Sequence, residues 1–176
     1  MTEKELQSRL YTYLSHYFYV ESEVKSTCYT RRIDLIIVHK SDIATKYPIG
    51  IEIKTFEKKT GSDAGKWLHQ AQAYAGLSWI GYDKAMIIVA PQFSEKVFCE
   101  GELMVKHVVD GCVKPDHNVS TFLGQFSIGE FQRYIFDDWN THKKTKFARI
   151  VYNGFIIWDE HRDDFRIHNY ERLCKR

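Results

Sequence analysis

Two short apolar runs separated by one loop constrain the fold of this chain more than any other feature. "RRIDLIIVHK" and "PIGIEIKTF" are rich in isoleucine and bounded by polar or turn-forming residues, as buried strands are. A segment with helical periodicity, "AGKWLHQAQAYAGLSWI", comes next, and a third apolar run, "KAMIIVAP", follows it. Strands joined through a helix need a crossover connection. The sequence therefore predicts an α/β fold with a mixed central sheet flanked by helices.

The first 25 residues predict one further helix and one further strand. "TEKELQSRLYTYLSHYF" has apolar residues at helical spacing, and Thr2 and Glu5 have the spacing of a capping box. "FYVESEVK" alternates loosely and predicts a strand. The predicted order up to Pro91 is helix, three strands, helix and strand.

Residues 1–176 are predicted to form a single domain, with a core of about residues 1–90 and a C-terminal elaboration of about residues 91–176. The length is that of about one domain, and there is no internal repeat or proline-rich linker. No apolar run approaches the length of a membrane span. We expect a protein of a reducing, intracellular and cytoplasmic compartment, with no membrane partner.

The C-terminal half contains three segments whose patterns indicate secondary structure. "FARIVYNGFIIWD" predicts a β-hairpin, because Asn153-Gly154 between two apolar runs favours a type I′ turn. "SIGEFQRYIFDDW" predicts a helix capped by Ser127, and "ELMVKHVV" is compatible with a strand.

Three charged residues stand inside the predicted strands. Asp34 interrupts the first apolar run, and Glu52 and Lys54 lie two residues apart on one face of the second. A buried carboxylate costs several kcal/mol unless it is paired or binds a metal. Only a loop separates the two runs, so the strands can pair and bring both acids to the same end of the sheet. A divalent cation would compensate the charge of both carboxylates. The alternative is an internal salt bridge between one of the acids and Lys54 that has no catalytic role.

The ordered set of Asp34, "GIEIK" and "QAQAY" resembles the PD-(D/E)XK nuclease superfamily, which has the restriction-endonuclease-like fold. "QAQAY" is similar to the Q-A-x-x-Y element of the RecB-like branch, and Gln70 and Tyr74 share a helix face at this spacing. Ile33 stands where the superfamily motif has proline, a change that many members carry.

The resemblance implies a metal site and a role for each of these residues. Asp34, Glu52 and the main-chain carbonyl of Ile53 would hold Mg²⁺ or Mn²⁺. An acid on the first helix often completes such a site, and Glu5 is the candidate here, with its capping-box role as the alternative.

The same resemblance implies that the chain is a Mg²⁺-dependent deoxyribonuclease, with endonuclease or exonuclease action left open. Lys54 would position or activate the attacking water, and Gln70 and Tyr74 would act on the phosphate or on Lys54. DNA is the expected partner, RNA is not excluded, and membership of a homodimer or a larger nucleic-acid-processing complex is open. The alternative is a nuclease-fold module that binds nucleic acid or protein without catalysis.

A net charge of +2 supplies no global attraction for nucleic acid, so a local patch is required. The candidate patch is formed by Lys143, Lys144, Lys146 and Arg149, and a solvated loop before a strand is its alternative. Some aromatic residues are also candidates for base stacking, although most are expected to be core. These stacking candidates are Tyr11, Tyr13, Phe18 and Tyr19.

The four cysteines do not have the spacing of a disulfide framework or of the iron–sulfur cluster that some RecB-like relatives carry, so no cluster is expected. A zinc-stabilised subdomain is a further alternative, although its spacing fits no common zinc pattern. Its ligands would be Cys99, His107, Cys112 and His117, and the remaining cysteines are Cys28 and Cys174.

Overall fold

The fold was analysed in a computed structural model of the chain. It describes residues 2–41, 47–54, 61–91, 108–109, 112–113, 123–138 and 143–174, and within these it describes only the main chain of 61–65, 91, 108–109, 112–113, 133–138 and 143–146. The helices with bounds in these ranges are α1 (Glu3–Leu14), α2 (Gly61–Ala75) and α3 (Ile167–Cys174). The strands are β1 (Phe18–Lys25), β2 (Arg32–His39), β3 (Ile49–Lys54), β4 (Met86–Pro91), β5 (Val108–Val109), β6 (Cys112–Val113), β7 (Gly129–Asp138), β8 (Lys143–Tyr152), β9 (Phe155–Asp159) and β10 (Asp164–Phe165).

Eight of these strands form one mixed sheet in the order β1-β2-β3-β4-β7-β8-β9-β10. The two parallel pairs are β3 with β4 and β4 with β7, and the other pairs are antiparallel. Helix α2 connects β3 to its parallel neighbour β4, as a parallel pair requires. The predicted α/β fold with a mixed sheet and flanking helices is therefore confirmed.

The predicted hairpin is also confirmed. Strands β8 and β9 pair antiparallel, with Tyr152 opposite Phe155 at the turn. Asn153 and Gly154 have φ of 48° and 78°, the left-handed values that a type I′ turn needs at both central positions.

The helix predicted for "SIGEFQRYIFDDW" is wrong, because this segment forms strand β7. All ten residues from Gly129 to Asp138 pair with β8, and Gly129 and Glu130 also pair with β4. Ser127 has φ of 60° and does not adopt the extended backbone of an N-cap. Aromatic residues suit a strand as well as a helix, so ladder pairing on both sides decides the conformation.

The sheet is covered on both faces. Helices α1 and α3 pack on one face, where Leu14 and Tyr170 join a core that includes Leu35, Ile51 and Trp158. Helix α2 packs on the other face, in a core that contains Trp67, Ala71, Ile36, Ile87 and Val89. Apolar burial on both faces explains why β2 and β4 are nearly continuous apolar runs.

Gly50 is required by the packing between β2 and β3. A Cβ atom at this position would lie 2.5 Å from Ile33 Cδ1 and 2.8 Å from Ile87 Cδ1. Because β3 alternates, Gly50 lies on the same face as Glu52, and the isoleucines pack over it beside the charged site.

The sheet curls, so that the region of its first two strands meets the region of its last two strands. The ring of Phe18 in β1 lies 5.0 Å from that of Trp158 in β9. Nearby, His39 Nε2 at the end of β2 lies 2.8 Å from Asp163 Oδ1, in the turn before β10. Residues on either side of position 91 therefore share one sheet and one core.

Some sequence predictions lie outside the described residues. Of "ELMVKHVV" only Val108 and Val109 are described, and they form β5, which pairs with β6. No helix in the described ranges has both the length and the apolar composition needed to cross a membrane.

Candidate active site

Asp34 lies where β2 and β3 stop pairing through their main chains. The last main-chain partners at this end are Leu35 and Ile51. One residue farther along, Asp34 Oδ2 accepts a hydrogen bond of 2.7 Å from the main-chain N–H of Ile53. The carboxylate thus takes the place of a strand partner and is fixed beside β3.

Glu52 is directed to the α2 face of the sheet and is 2% exposed. Its Oε1 atom lies 2.9 Å from the Nζ atom of Lys54 and accepts a 2.8 Å hydrogen bond from Gln70 Nε2. These contacts join a strand carboxylate, a strand ammonium and a helix amide. Glu52 and Lys54 face the same side of β3, as predicted. Ile51 and Ile53 lie in the core on the opposite side.

Gln70 and Tyr74 lie on the face of α2 that points at Glu52. Gln70 Nε2 also lies 2.8 Å from Tyr74 Oη, as expected for side chains four residues apart on a helix. The ring of Tyr74 is buried and packs edge-on against Trp79 at 5.4 Å. Packing of the tyrosine therefore fixes the amide, and the amide orients the carboxylate.

The two carboxyl groups hold their protons more strongly than usual. Burial and the charge of Asp34 raise the pKa of Glu52 to about 7, although Lys54 opposes the shift. Burial raises the pKa of Asp34 as well, against the hydrogen bond from the Ile53 N–H and the charge of Lys54. Desolvation and mutual repulsion both favour the neutral form, so the site stabilises added positive charge.

Lys54 remains a cation in this environment. Burial lowers its pKa, but the hydrogen bond to Glu52 and the carboxylates of Glu52, Glu3 and Asp34 outweigh burial, and the pKa is raised overall. An ammonium whose pKa is raised stays protonated at neutral pH.

Glu3, and not Glu5, is the acid of α1 that acts on the site. The charge of Glu3 affects the pKa of Asp34, Glu52 and Lys54. Glu5 forms the capping box with Thr2, whose N–H and hydroxyl it engages at 2.8 and 3.2 Å, so the alternative role of Glu5 is the one observed. Sequence reasoning missed Glu3, because the cap motif drew attention to position 5. Helical spacing does not distinguish the two acids, and the contact that marks this face of α1, from Gln7 to the main-chain oxygen of Asp34, is seen only in the structure.

Side chains of α1 and β1 support the main chain at Asp34. Gln7 Nε2 donates to the main-chain oxygen of Asp34 at 3.0 Å and to Glu23 Oε1 at 2.8 Å. Arg32 pairs with the other oxygen of Glu23. Glu23 itself has φ of 58°, so the backbone of β1 departs from extended geometry opposite Asp34.

An open cleft of about 770 Å³ leads to this site between α1 and the β1–β2 hairpin. Asp34, Ile53 and Glu3 lie in its wall, together with Tyr11 farther along α1. Glu52, Gln70 and Tyr74 are not in this wall and lie on the α2 side of the sheet. Asp34 and Ile53 are therefore the site residues that meet solvent through the cleft.

The donor set fits a hard divalent cation with few protein ligands. Across the described ranges, no three side chains of His, Cys, Asp or Glu are placed to hold a metal ion together. Two carboxylates and a main-chain oxygen are nevertheless the kind of incomplete oxygen set on which Mg²⁺ keeps several waters. The charges of three carboxylates, those of Glu52, Glu3 and Asp34, act on the one ammonium of Lys54, so negative charge exceeds positive charge at the site.

The predicted basic patch lies apart from these residues on β8. The main chains of Lys143, Lys144 and Lys146 pair with β7, and their side chains lie outside the described part of the structure. Arg149 Nε forms a 2.6 Å ion pair with the buried Asp159. The segment is thus strand and not loop, and Arg149 has a structural partner.

The cysteines are distributed over separate elements. Cys28 lies in the β1–β2 turn, Cys174 ends α3, and both are free thiols. Cys112 begins β6, whereas the other three residues of the zinc alternative, Cys99, His107 and His117, lie outside the described residues.

No protein-family model, curated protein or solved structure matches this chain in comparisons of its sequence and fold.

Proposed function

We propose that the chain is a metal-dependent nuclease that hydrolyses DNA phosphodiester bonds on a restriction-endonuclease-like core. The observation that carries the proposal is the convergence of Asp34, Glu52 and Lys54 where β2 and β3 separate, with Gln70 of α2 bonded to Glu52. The mixed β1–β4 sheet with α2 as crossover supports the architecture that the sequence resembles.

Asp34, Glu52 and the Ile53 carbonyl would hold Mg²⁺ or Mn²⁺, and Glu3 replaces Glu5 as the α1 acid beside them. Such an ion, when bound, activates water and neutralises charge on a phosphate oxygen. The raised pKa values of Asp34 and Glu52 support this assignment, because added positive charge relieves their burial and repulsion.

Lys54 would act as a fixed positive charge and not as a proton acceptor. The pKa of Lys54 is raised, so its side chain is already protonated when a phosphate binds. A preorganised ammonium in a partly water-excluded site stabilises negative charge that develops on the phosphate in the transition state. The side chain of Lys54 is one fifth exposed, whereas that of its partner Glu52 is almost fully buried.

Gln70 is a positioning residue in this scheme. It donates to Glu52 Oε1 and is itself held against Tyr74 Oη. The amide and the ammonium of Lys54 both contact the same oxygen, Oε1, and together they limit rotation of the carboxylate. Tyr74 contributes through Gln70, because its ring is enclosed by the α2 core.

Cleavage assays test this function. Purified protein is incubated with linear, circular, single-stranded and branched DNA, and with RNA, in Mg²⁺, Mn²⁺ or EDTA. We expect cleavage of at least one DNA form that requires the metal. Asp34→Ala, Glu52→Ala and Lys54→Ala should each abolish it, a fall of at least about 100-fold, because each removes a metal ligand or the fixed charge.

The matched control is Asp164→Asn, which removes an exposed carboxylate of β10 that pairs with Arg166. This variant should cleave as the wild type does. Equal cleavage by the wild type and all three site variants would contradict the proposal. Metal-independent binding of DNA without cleavage would favour the binding module instead.

A further inference from the structure

We propose that Tyr11 is a stacking platform for a nucleobase and that the cleft beside α1 admits a single nucleic-acid strand to the site. This inference rests on the proposed function and names the form of its substrate. Tyr11 is 41% exposed and lies in the wall of the same cleft as Asp34.

Helix α1 turns a second, polar face to the cleft, opposite to its apolar face. The residues of this face recur at helical spacing: Glu3, Lys4, Gln7, Ser8, Tyr11 and Thr12. Tyr11 is the only aromatic residue among them and lies two turns from Glu3, the acid that acts on the site.

Tyr11 differs in its contacts from the two tyrosines that follow it in the chain. Tyr13 packs against Phe131 at 6.3 Å, and Tyr17 packs against Trp158 at 5.1 Å and donates to Glu160. Within the described ranges, no ring contact or side-chain hydrogen bond engages Tyr11. Its ring face is therefore available to a ligand in the cleft, while the helix fixes its position.

The charges of the cleft favour one flexible strand over a double helix. Duplex binding depends on several cations that neutralise phosphates along the backbone. Among the residues that the structure describes, the cations in the cleft wall are Lys4 and Arg32, and Arg32 is paired with Glu23. The same wall also contains the acids Glu3, Glu23 and Asp34. Hydroxyls, amides and an aromatic ring instead suit a base and a sugar, and base stacking on aromatic side chains is typical of single-strand binding.

Stacking on Tyr11 would also guide the neighbouring phosphate. A base held on Tyr11 leaves its backbone free to run along the cleft, whose wall also contains Glu3 and Asp34. A base within a duplex is stacked between its neighbours and is not available to the ring. The arrangement therefore selects unpaired nucleotides next to the bond that is cut.

The test is a binding measurement in the Lys54→Ala background with Mg²⁺, which separates binding from cleavage. Fluorescence anisotropy is recorded with a labelled 12-mer of single-stranded DNA, the RNA of the same sequence, the annealed DNA duplex, and a 12-mer of abasic DNA. We expect Tyr11→Ala to weaken single-strand binding about 5- to 150-fold, as loss of one stacked base predicts. Tyr11→Phe should restore it to within about twofold, since the ring carries the interaction.

Tyr19→Ala is the matched control, because Tyr19 is 61% exposed on β1, with Lys40 over its ring, and lies outside the cleft. It should bind the single strand as the parent does. The duplex and the abasic DNA should bind equally to the parent and to Tyr11→Ala, because neither offers a base to the ring. The DNA and RNA arms show which backbone is preferred. Unchanged single-strand binding in Tyr11→Ala, or an equal loss in Tyr19→Ala, would overturn the inference.

Failure of this inference is distinguishable from failure of the nuclease proposal. Metal-dependent cleavage that requires Glu52 but is insensitive to Tyr11→Ala would refute the stacking role alone. Tyr11-dependent strand binding without cleavage in the wild type would support the stacking role and refute the nuclease.

Discussion

The single residue Glu52 shows why the site lowers the stability of the folded protein when no cation is bound. Its carboxylate is buried beside Asp34 and has Lys54 and Gln70 as neighbours. Because its pKa is about 7 in the folded protein against an ordinary 4.5, the folded state binds a proton that the unfolded state has released in this pH range. Stability attributable to Glu52 is therefore complete below about pH 4.5 and is lost as the pH rises through 7.

Replacement of this carboxyl group should remove the pH dependence. In EDTA, we expect Glu52→Gln to be more stable than the wild type at pH 8 by up to about 3 kcal/mol, since one pKa unit corresponds to about 1.4 kcal/mol. The difference should shrink towards pH 4.5. Urea unfolding at a series of pH values measures it.

Asp164→Asn serves as the control for the same experiment, because Asp164 is exposed in the short strand β10. Its unfolding free energy should follow that of the wild type at each pH. Parallel pH curves for the wild type and Glu52→Gln would show that burial of Glu52 does not destabilise its charged form.

At the scale of elements, the strands that carry the site were predictable because their pattern is local. Strands β2 and β3 lie within the predicted segments, and the Asn153-Gly154 turn follows from two backbone conformations that few residue pairs adopt. Strand β7 was not predictable in this way. Its ten-residue ladder with β8 and its contact with β4 are tertiary interactions, and they outweigh a sequence compatible with a helix.

The turn between β8 and β9 yields a prediction at this scale. Gly154 has φ of 78°, so Gly154→Ala should lower the free energy of unfolding by about 1 kcal/mol, the cost of a left-handed conformation for a residue with a Cβ atom. Thermal or urea unfolding measures the change.

Gly76→Ala is the matched glycine substitution. A Cβ atom there would have Ala73 O as its nearest neighbour at 3.8 Å, an ordinary contact, and Gly76 is not among the glycines with positive φ. Its stability should be unchanged or slightly higher. Equal destabilisation by both substitutions would mean that the turn conformation is not what Gly154 provides.

At the scale of the whole molecule, the sequence predicted which residues carry the charges but not all of their surroundings. Asp34, Glu52, Lys54 and Gln70 come together as their order in the chain indicated. The role of Glu3 depends on how α1 docks across the sheet. Docking is set by side chains that are distant in sequence, and helical spacing alone cannot rank two acids in one turn.

The curl of the sheet is a second feature that required the structure. Contacts of Phe18 with Trp158 and of His39 with Asp163 join residues more than 120 positions apart. No local pattern encodes such contacts. The curl places the C-terminal strands beside β1 and β2. The cleft has a different position, because its wall is formed mainly by residues of α1, β1 and β2 that include Asp34.

We propose that Asp34 and Glu52 together hold a divalent ion, and calorimetric titration of Mn²⁺ into the metal-free protein tests this most directly. We predict binding by the wild type that is lost in both Asp34→Asn and Glu52→Gln. Lys54→Ala should bind Mn²⁺ at least as tightly as the wild type, because it removes a competing positive charge and no ligand. Absence of binding in the wild type, or the same binding in both carboxylate variants, would contradict the account.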